Sequence, residues 1–136
     1  MTDPIQDFIA GERFAVVGAS TNRNKYGNKV VRCYQQAGKA PLPINPRATE
    51  IEGEPCYPSL EGVPDLASLH GVSIITPPKI TEQVIDEAIE LGLKRLWLQP
   101  GAEHAGAIAQ AQANGLTVIA NGPCLLVVLG YREHAC

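Results

Sequence analysis

The chain has 136 residues, 45% hydrophobic and 18% charged, and its 14 acidic against 11 basic side chains leave a net charge of −3. A chain of this length hides roughly two-thirds of its unfolded surface, so one domain over residues 1–136 needs no metal or disulfide staple, and disorder is excluded. The longest apolar run, Cys124 to Leu129, is too short to cross a bilayer, 5% aromatic content leaves few platforms for stacking bases, and the acidic balance excludes a general polyanion binder.

The opening stretch Met1 to Gly11 is acidic where an export signal would be basic and then apolar, so a cytoplasmic protein is expected. The first strand is predicted at Phe14–Gly18. A helical pattern follows over Tyr26–Ala37, with Val30, Val31, Tyr34 and Ala37 on one side. Strands at Leu42–Ile44 and Val72–Thr76 flank a weaker region, Thr49–Leu69, read as a loop with a short strand near Glu54–Tyr57 and a helical turn after Pro58. Ile80–Leu91 is amphipathic, with Ile80, Val84, Ala88 and Leu91 inward and Glu82, Asp86, Glu87 and Glu90 outward. Leu96–Gln99 is the fourth strand, Glu103–Asn114 the third helix and Thr117–Ala120 the fifth strand. Gly38, Gly92 and Gly115 each follow a helix and precede a strand, as a left-handed helix terminus requires. The trailing run Leu125–Leu129 packs on the sheet or against a second copy, and oligomeric state stays open.

Helices alternating with strands in this way give an α/β fold: a doubly wound, mainly parallel five-stranded sheet with helices on both faces. Ligands of such sheets sit at the carboxyl ends of the strands, where the winding reverses. The chemistry is therefore sought just after each strand.

Charge supports that choice. Seven bases (Arg13, Arg23, Lys25, Lys29, Arg32, Lys39 and Arg47) and no acid lie between positions 13 and 47, whereas the rest holds four bases and fourteen acids. Such a segment is either reserved for an anion or simply a solvated face. After the first strand, Gly18, Ala19 and Ser20 permit close approach of a phosphate to the backbone, Arg23 and Lys25 supply mobile charge, and Tyr26 opens a helix whose N–H groups favour anions. A plain structural turn is the competing reading. The loop is longer than the GxGxxG of a dinucleotide fold. After the second strand, Asn45, Pro46 and Arg47 offer no acid for the ribose of NAD, and the planar fork of Arg47 suits a phosphate; Asn45 also reads as a turn-former. Thr76, Pro77 and Pro78 end the third strand in a stiff apolar wall, one proline being at home in a first helical turn. Gln99 ends the fourth with an amide, and Asn121 lies in the turn before Cys124, whose thiol is expected on the far side. Cys33, Cys56, Cys124 and Cys136 contain no CxxC pair, and among His70, His104 and His134 only His134, two residues before Cys136, stands near one of them, so no metal site is expected.

In order along the chain, VVGAS (16–20), KYG (25–27), INPR (44–47), ITPP (75–78), WLQPGA (97–102) and NGPC (121–124) resemble the small CoA-binding proteins. These share the Rossmann-like N-terminal domain of the succinyl-CoA synthetase α subunit. The resemblance covers nearly the whole chain and implies coenzyme A or acyl-CoA as ligand. By it, Gly18, Ala19, Ser20 and Lys25 are phosphate-side contacts, Arg47 meets the adenosine phosphate, and Thr76 and Pro77 touch the adenine or ribose side. The pantetheine arm then runs towards the double proline. Asn45, Gln99 and Asn121 are carried over as contacts that have structural readings too.

The synthetase transfers phosphoryl through a histidine and regions outside this domain, and none of the three histidines here matches it. Binding without catalysis is expected, with no nucleic-acid or membrane partner. Two alternatives stand beside it. An NADP-dependent oxidoreductase would use Arg47 for the 2′-phosphate but has neither the glycine fingerprint nor a catalytic pair. A thiol enzyme acting on acyl-CoA through Cys124 would need a base that the neighbouring residues do not supply.

Overall fold

The computed structural model describes residues 3–133. Its strands β1 (Arg13–Val17), β2 (Ala40–Ile44), β5 (Gly71–Ile74), β6 (Arg95–Leu98) and β7 (Thr117–Ile119) form one parallel sheet in the order β2-β1-β5-β6-β7. The small β3 (Glu50–Ile51) and β4 (Glu54–Pro55) make a separate antiparallel hairpin. Helices α2 (Tyr26–Gln36), α3 (Pro78–Glu90) and α4 (Ala105–Ala113) connect the strands, and α1 (Pro4–Ile9) and α5 (Leu125–Val128) flank them.

Alternation along the strands sends side chains to two cores. Ala15, Leu42, Val72, Ile74, Leu96 and Leu98 meet Val84, Ile85 and Ala88 of α3 and Ala107 and Ala111 of α4. On the other face Phe14, Val16, Trp97 and Ile119 meet Phe8 of α1, Val30, Val31 and Tyr34 of α2 and Leu125 of α5. Burial on both faces explains why β1 reads as a continuous apolar run. Phe14 stacks on Tyr34 at 4.6 Å and on Phe8 at 5.1 Å, and the Tyr34 hydroxyl reaches Ser73 at 2.5 Å. Pro41 and Pro43 lack N–H donors and are tolerated because β2 is the sheet's edge, pairing with β1 alone among the strands.

The predicted helices and strands are all present, with ends displaced by one or two residues. Gly38, Gly92 and Gly115 hold φ of 76°, 75° and 84° after their helices. Two pieces went unpredicted. Helix α1 starts at an Asp3-Pro4 pair, whose Asp3 carboxylate accepts from the Ile5 N–H at 3.1 Å with Pro4 in the first turn; that pair was its readable signal. In the region read as loop, β4 is the short strand expected near Glu54–Tyr57, whereas its partner β3 was not expected, and the turn between them holds Glu52 and Gly53 at φ 50° and 81°. Two positive φ values are normally met by Asn-Gly or Asp-Gly, so Glu-Gly does not announce the turn. The helical turn expected after Pro58 is a single 3-10 turn, Leu60–Gly62, and a second spans Leu66–Ser68.

The chain winds from β1 outward to β2, then returns across β1 to β5 and continues to β7. The reversal lies between β1 and β5, which opens a crevice above their carboxyl ends.

Candidate functional site

Two glycines form the floor of that crevice. Gly18, at φ 93°, lies against the β5 exit so closely that a Cβ there would stand 2.2 Å from the Ile75 carbonyl oxygen. A Cβ on Gly27, in the first turn of α2, would stand 2.0 Å from the Gly18 carbonyl oxygen. The Gly18–Gly27 spacing thus seats a helix end directly on the strand exit. It serves the same close approach as the shorter dinucleotide fingerprint, with a wider loop between. The first N–H groups of α2 have no intrahelical acceptor and no side-chain cap, Lys25 occupying the N-cap position.

The loop between these glycines is held from behind. Asn22 N–H donates to Ser20 Oγ at 3.0 Å and Asn24 N–H to Asn22 Oδ1 at 3.0 Å. Asn28, fully buried, donates through Nδ2 to the Ser20 carbonyl at 2.9 Å and to the Glu52 carboxylate at 3.1 Å. Arg32, 7% exposed, donates to Asn28 Oδ1 and to the Arg23 carbonyl, both at 2.7 Å. The carbonyls at 20 and 23 are therefore engaged by α2. Asn28, Arg32 and Glu52 brace this loop and are residues that sequence reasoning missed, since a polar side chain on a helix or in a turn reads as solvated until its neighbours are known.

Three adjoining hollows run along the edge. The central one, about 640 Å³, is lined by Gly18, Ala19, Ser20, Asn24, Lys25, Tyr26, Gly27, Asn45, Ile75, Thr76 and Pro77. An outer one of about 470 Å³ shares Ser20 and Asn45 with it and adds Arg47, together with the carboxylate-bearing Glu50. An inner one of about 160 Å³ shares Tyr26 and Ile75 and ends at Gln99, Pro100 and Cys124. Asn45 Nδ2 donates to the Ala19 carbonyl at 2.9 Å and its Oδ1 accepts from Arg47 N–H at 2.8 Å, so it ties the two strand ends as well as lining both hollows. Thr76 and Thr81 hydroxyls meet at 2.7 Å.

Of the expected contacts, Gly18, Ala19, Ser20, Lys25, Tyr26, Asn45, Arg47, Thr76, Pro77 and Gln99 line these hollows. Pro46, Pro78 and Asn121 do not. Pro78 opens α3 two residues before the expected start, and Asn121, at φ 62°, shapes the turn after β7. Arg23 does not line them either: its guanidinium pairs with Glu52 at 3.1 Å. Cys124, at the far side of its turn, lines the inner hollow, where its sulfur accepts from Gln99 Nε2 at 3.4 Å. Burial pushes the neighbouring Cys33 thiol up to about 12, with Cys124 adding to the effect.

The base-rich segment is largely neutralised by folding. Lys39 meets Glu12, Lys29 and Arg32 approach Glu133, and Arg13 donates to the Pro64 and Asp65 carbonyls and to Ser68. Among the described residues only the side chains of Lys25 and Arg47, of the seven, have no protein partner, and both line the hollows. A further shallow hollow of about 520 Å³ on α3 is lined by Asp86, Glu87 and Glu90, which repel anions. No group of three or more metal-ligating side chains occurs among the described residues, and no helix there is long and apolar enough to cross a membrane.

Comparison with known proteins agrees with this geometry. A conserved hypothetical protein from Pyrococcus furiosus superposes with a TM-score of 0.80 at 38% identity, covering 86% of this chain and 98% of its own. A hypothetical protein from Pyrococcus horikoshii OT3 gives a TM-score of 0.84 at 30% identity, covering 98% and 90%. The ADP-forming acetate–CoA ligase I of Archaeoglobus fulgidus is 33% identical over 73 residues, which are 54% of this chain and 10% of the ligase. The α subunit of the ADP-forming acetate–CoA ligase II of Pyrococcus furiosus is 34% identical over 89 residues, 64% of this chain and 19% of the subunit. This chain thus spans at most about a fifth of those two ligase chains. The profile of the CoA binding domain matches residues 12–130, from the start of β1 to the end of α5, and the chain belongs to that family.

Proposed function

We propose that residues 1–136 act as one unit that binds coenzyme A along the three hollows and leaves it chemically unchanged. The observation that carries this reading is the pairing of shape with charge: a continuous edge groove in which Lys25 and Arg47 are cations without protein partners. Coenzyme A is an adenosine with a 3′-phosphate, a diphosphate and an arm ending in a thiol. Arg47 suits the phosphate on the ribose, because a guanidinium fork can make two parallel bonds to it. The α2 N-terminus, the Ser20 hydroxyl and Lys25 suit the diphosphate, whose charge the helix dipole favours. The arm then passes Thr76 and Pro77 towards Cys124.

Holding rather than transforming is supported by how the described histidines are used. His104 Nδ1 accepts from the Ala107 N–H at 3.1 Å as the cap of α4, and His70 Nε2 is bonded to the Asp7 carbonyl at 2.8 Å at the opposite edge. Gln99, beside Cys124, is no base. The NADP reading is less well supported, because the groove ends at a thiol rather than at a substrate site.

The test is a side-by-side titration with CoA, dephospho-CoA, NAD and NADP by calorimetry and thermal shift. CoA at a hundred times its Kd should add about 2.7 kcal/mol of apparent stability, with NAD and NADP inert. Arg47→Ala should weaken CoA about tenfold or more while changing dephospho-CoA little, since a hydrogen bond to a charged group contributes about 1.5–3 kcal/mol. Stabilisation by NADP but not by CoA would sink the reading. Release of free CoA from an acyl-CoA by the purified protein would remove the non-catalytic part.

A further inference from the structure

The inner hollow has a size and a wall chemistry that the CoA thiol alone does not explain. Its volume is about 160 Å³ and its lining is Tyr26, Ile75, Gln99, Pro100 and Cys124, mostly apolar and without an acidic or basic side chain. An apolar cavity of roughly 150 Å³ accommodates a benzene, which is six heavy atoms. A thiol sulfur fills one of those six places. The sulfur, the carbonyl group and three further carbons of a butyryl thioester fill all six.

The wall also offers one fixed polar handle. Gln99 is 3% exposed, its Oε1 accepts from the Leu125 N–H at 2.7 Å, and one Nε2 hydrogen goes to Cys124 Sγ at 3.4 Å. These two bonds set the plane of the amide and leave its second hydrogen for a ligand oxygen. A thioester carbonyl supplies such an oxygen and a free thiol does not.

We propose that the inner hollow is a subsite for a short uncharged acyl group, so that the protein holds acetyl- to butyryl-CoA more tightly than free CoA and rejects longer or carboxylated acyl groups. The inference rests on the CoA reading, which supplies the rest of the molecule to the continuous groove. Size sets the upper limit, because a chain longer than this six-atom volume does not fit the hollow and, with Tyr26 61% exposed at the wall, is left in water. Charge sets the second limit: succinyl has the four carbons of butyryl, but its carboxylate would enter a mostly apolar lining that holds no cation to pair with it.

The experiment is calorimetric titration of the full chain with CoA, acetyl-, butyryl-, octanoyl- and succinyl-CoA. Affinity should rise from CoA to butyryl-CoA by up to about fourfold per buried methylene. Octanoyl-CoA and succinyl-CoA should each bind about tenfold more weakly than butyryl-CoA. With CoA bound, a flat series, a continued rise to octanoyl, or succinyl equal to butyryl overturns the subsite and leaves CoA binding standing. Failure of every member, CoA included, removes both. Cys124→Leu, which fills the hollow, should lower the ratio of butyryl-CoA to CoA affinity, and an unchanged ratio counts against the subsite. Should that variant not fold, Cys124→Ala enlarges the hollow and should move the optimum to a longer acyl group; an unmoved optimum overturns the proposal.

Discussion

At the amino edge of the sheet Arg13 is bonded to the Pro64 and Asp65 carbonyls, Lys39 meets Glu12 at 4.0 Å, and Arg95 grips Asp7 at 2.8 Å. At the carboxyl edge Lys25 and Arg47 extend beside hollows with no protein partner. All but Arg95 come from the same acid-free stretch of sequence. What separates them is whether the fold carries its own acceptors to the cation. Where it does, the charge fastens loops; where it does not, an exposed cation costs little in water and stays available to an anion. Arg23 and Arg32 show that position at the carboxyl edge is not sufficient, because Glu52 and the loop carbonyls occupy them.

The strongest way to break this contrast is to fill the floor of the crevice. Gly27→Ala places a methyl where the Gly18 carbonyl stands, which should cost about 1–3 kcal/mol and abolish CoA binding, read by thermal melting and titration. A variant of wild-type stability and affinity would mean that the helix does not rest on the strand exit. Next comes Arg32→Ala, which leaves Asn28 Oδ1 and the Arg23 carbonyl without their buried donor, an expected loss of about 2–3 kcal/mol. Arg32→Lys should not rescue it, since an ammonium lacks the fork that reaches both acceptors.

A smaller, sharper pair sets the two edges against each other. Lys25→Ala should weaken CoA about tenfold with an unchanged melting temperature. Arg13→Ala should lower stability by about 1 kcal/mol with an unchanged Kd. The same response from both would erase the distinction. The smallest expected effect is at Asp7, whose carboxyl the Arg95 hydrogen bond holds below its ordinary 3.8. A lowered carboxylate contributes stability above its unfolded pKa, and that contribution fades as pH falls through the folded value. Asp7→Asn should therefore melt slightly earlier at neutral pH, with the gap closing below pH 3.8.

Apolar runs, helical periodicity and the three terminal glycines were enough to determine an α/β sheet, because a strand buried on both faces and a helix with one apolar stripe leave local marks in composition. The same alternation pointed to the carboxyl edge that carries the hollows, where Gly18, Asn45 and Arg47 closely follow a strand and Lys25 directly precedes a helix. Only the tertiary structure decided which charges were left over. Glu52 reaches Arg23 and Asn28 through a hairpin that no turn residue announces, and Glu133 approaches Lys29 and Arg32 from about a hundred residues away. Likewise, Cys124 closes the inner hollow because Gln99 spans the distance to the start of α5. Such pairings depend on long-range approach of polar groups, and a polar side chain carries no local sign of the partner it will meet.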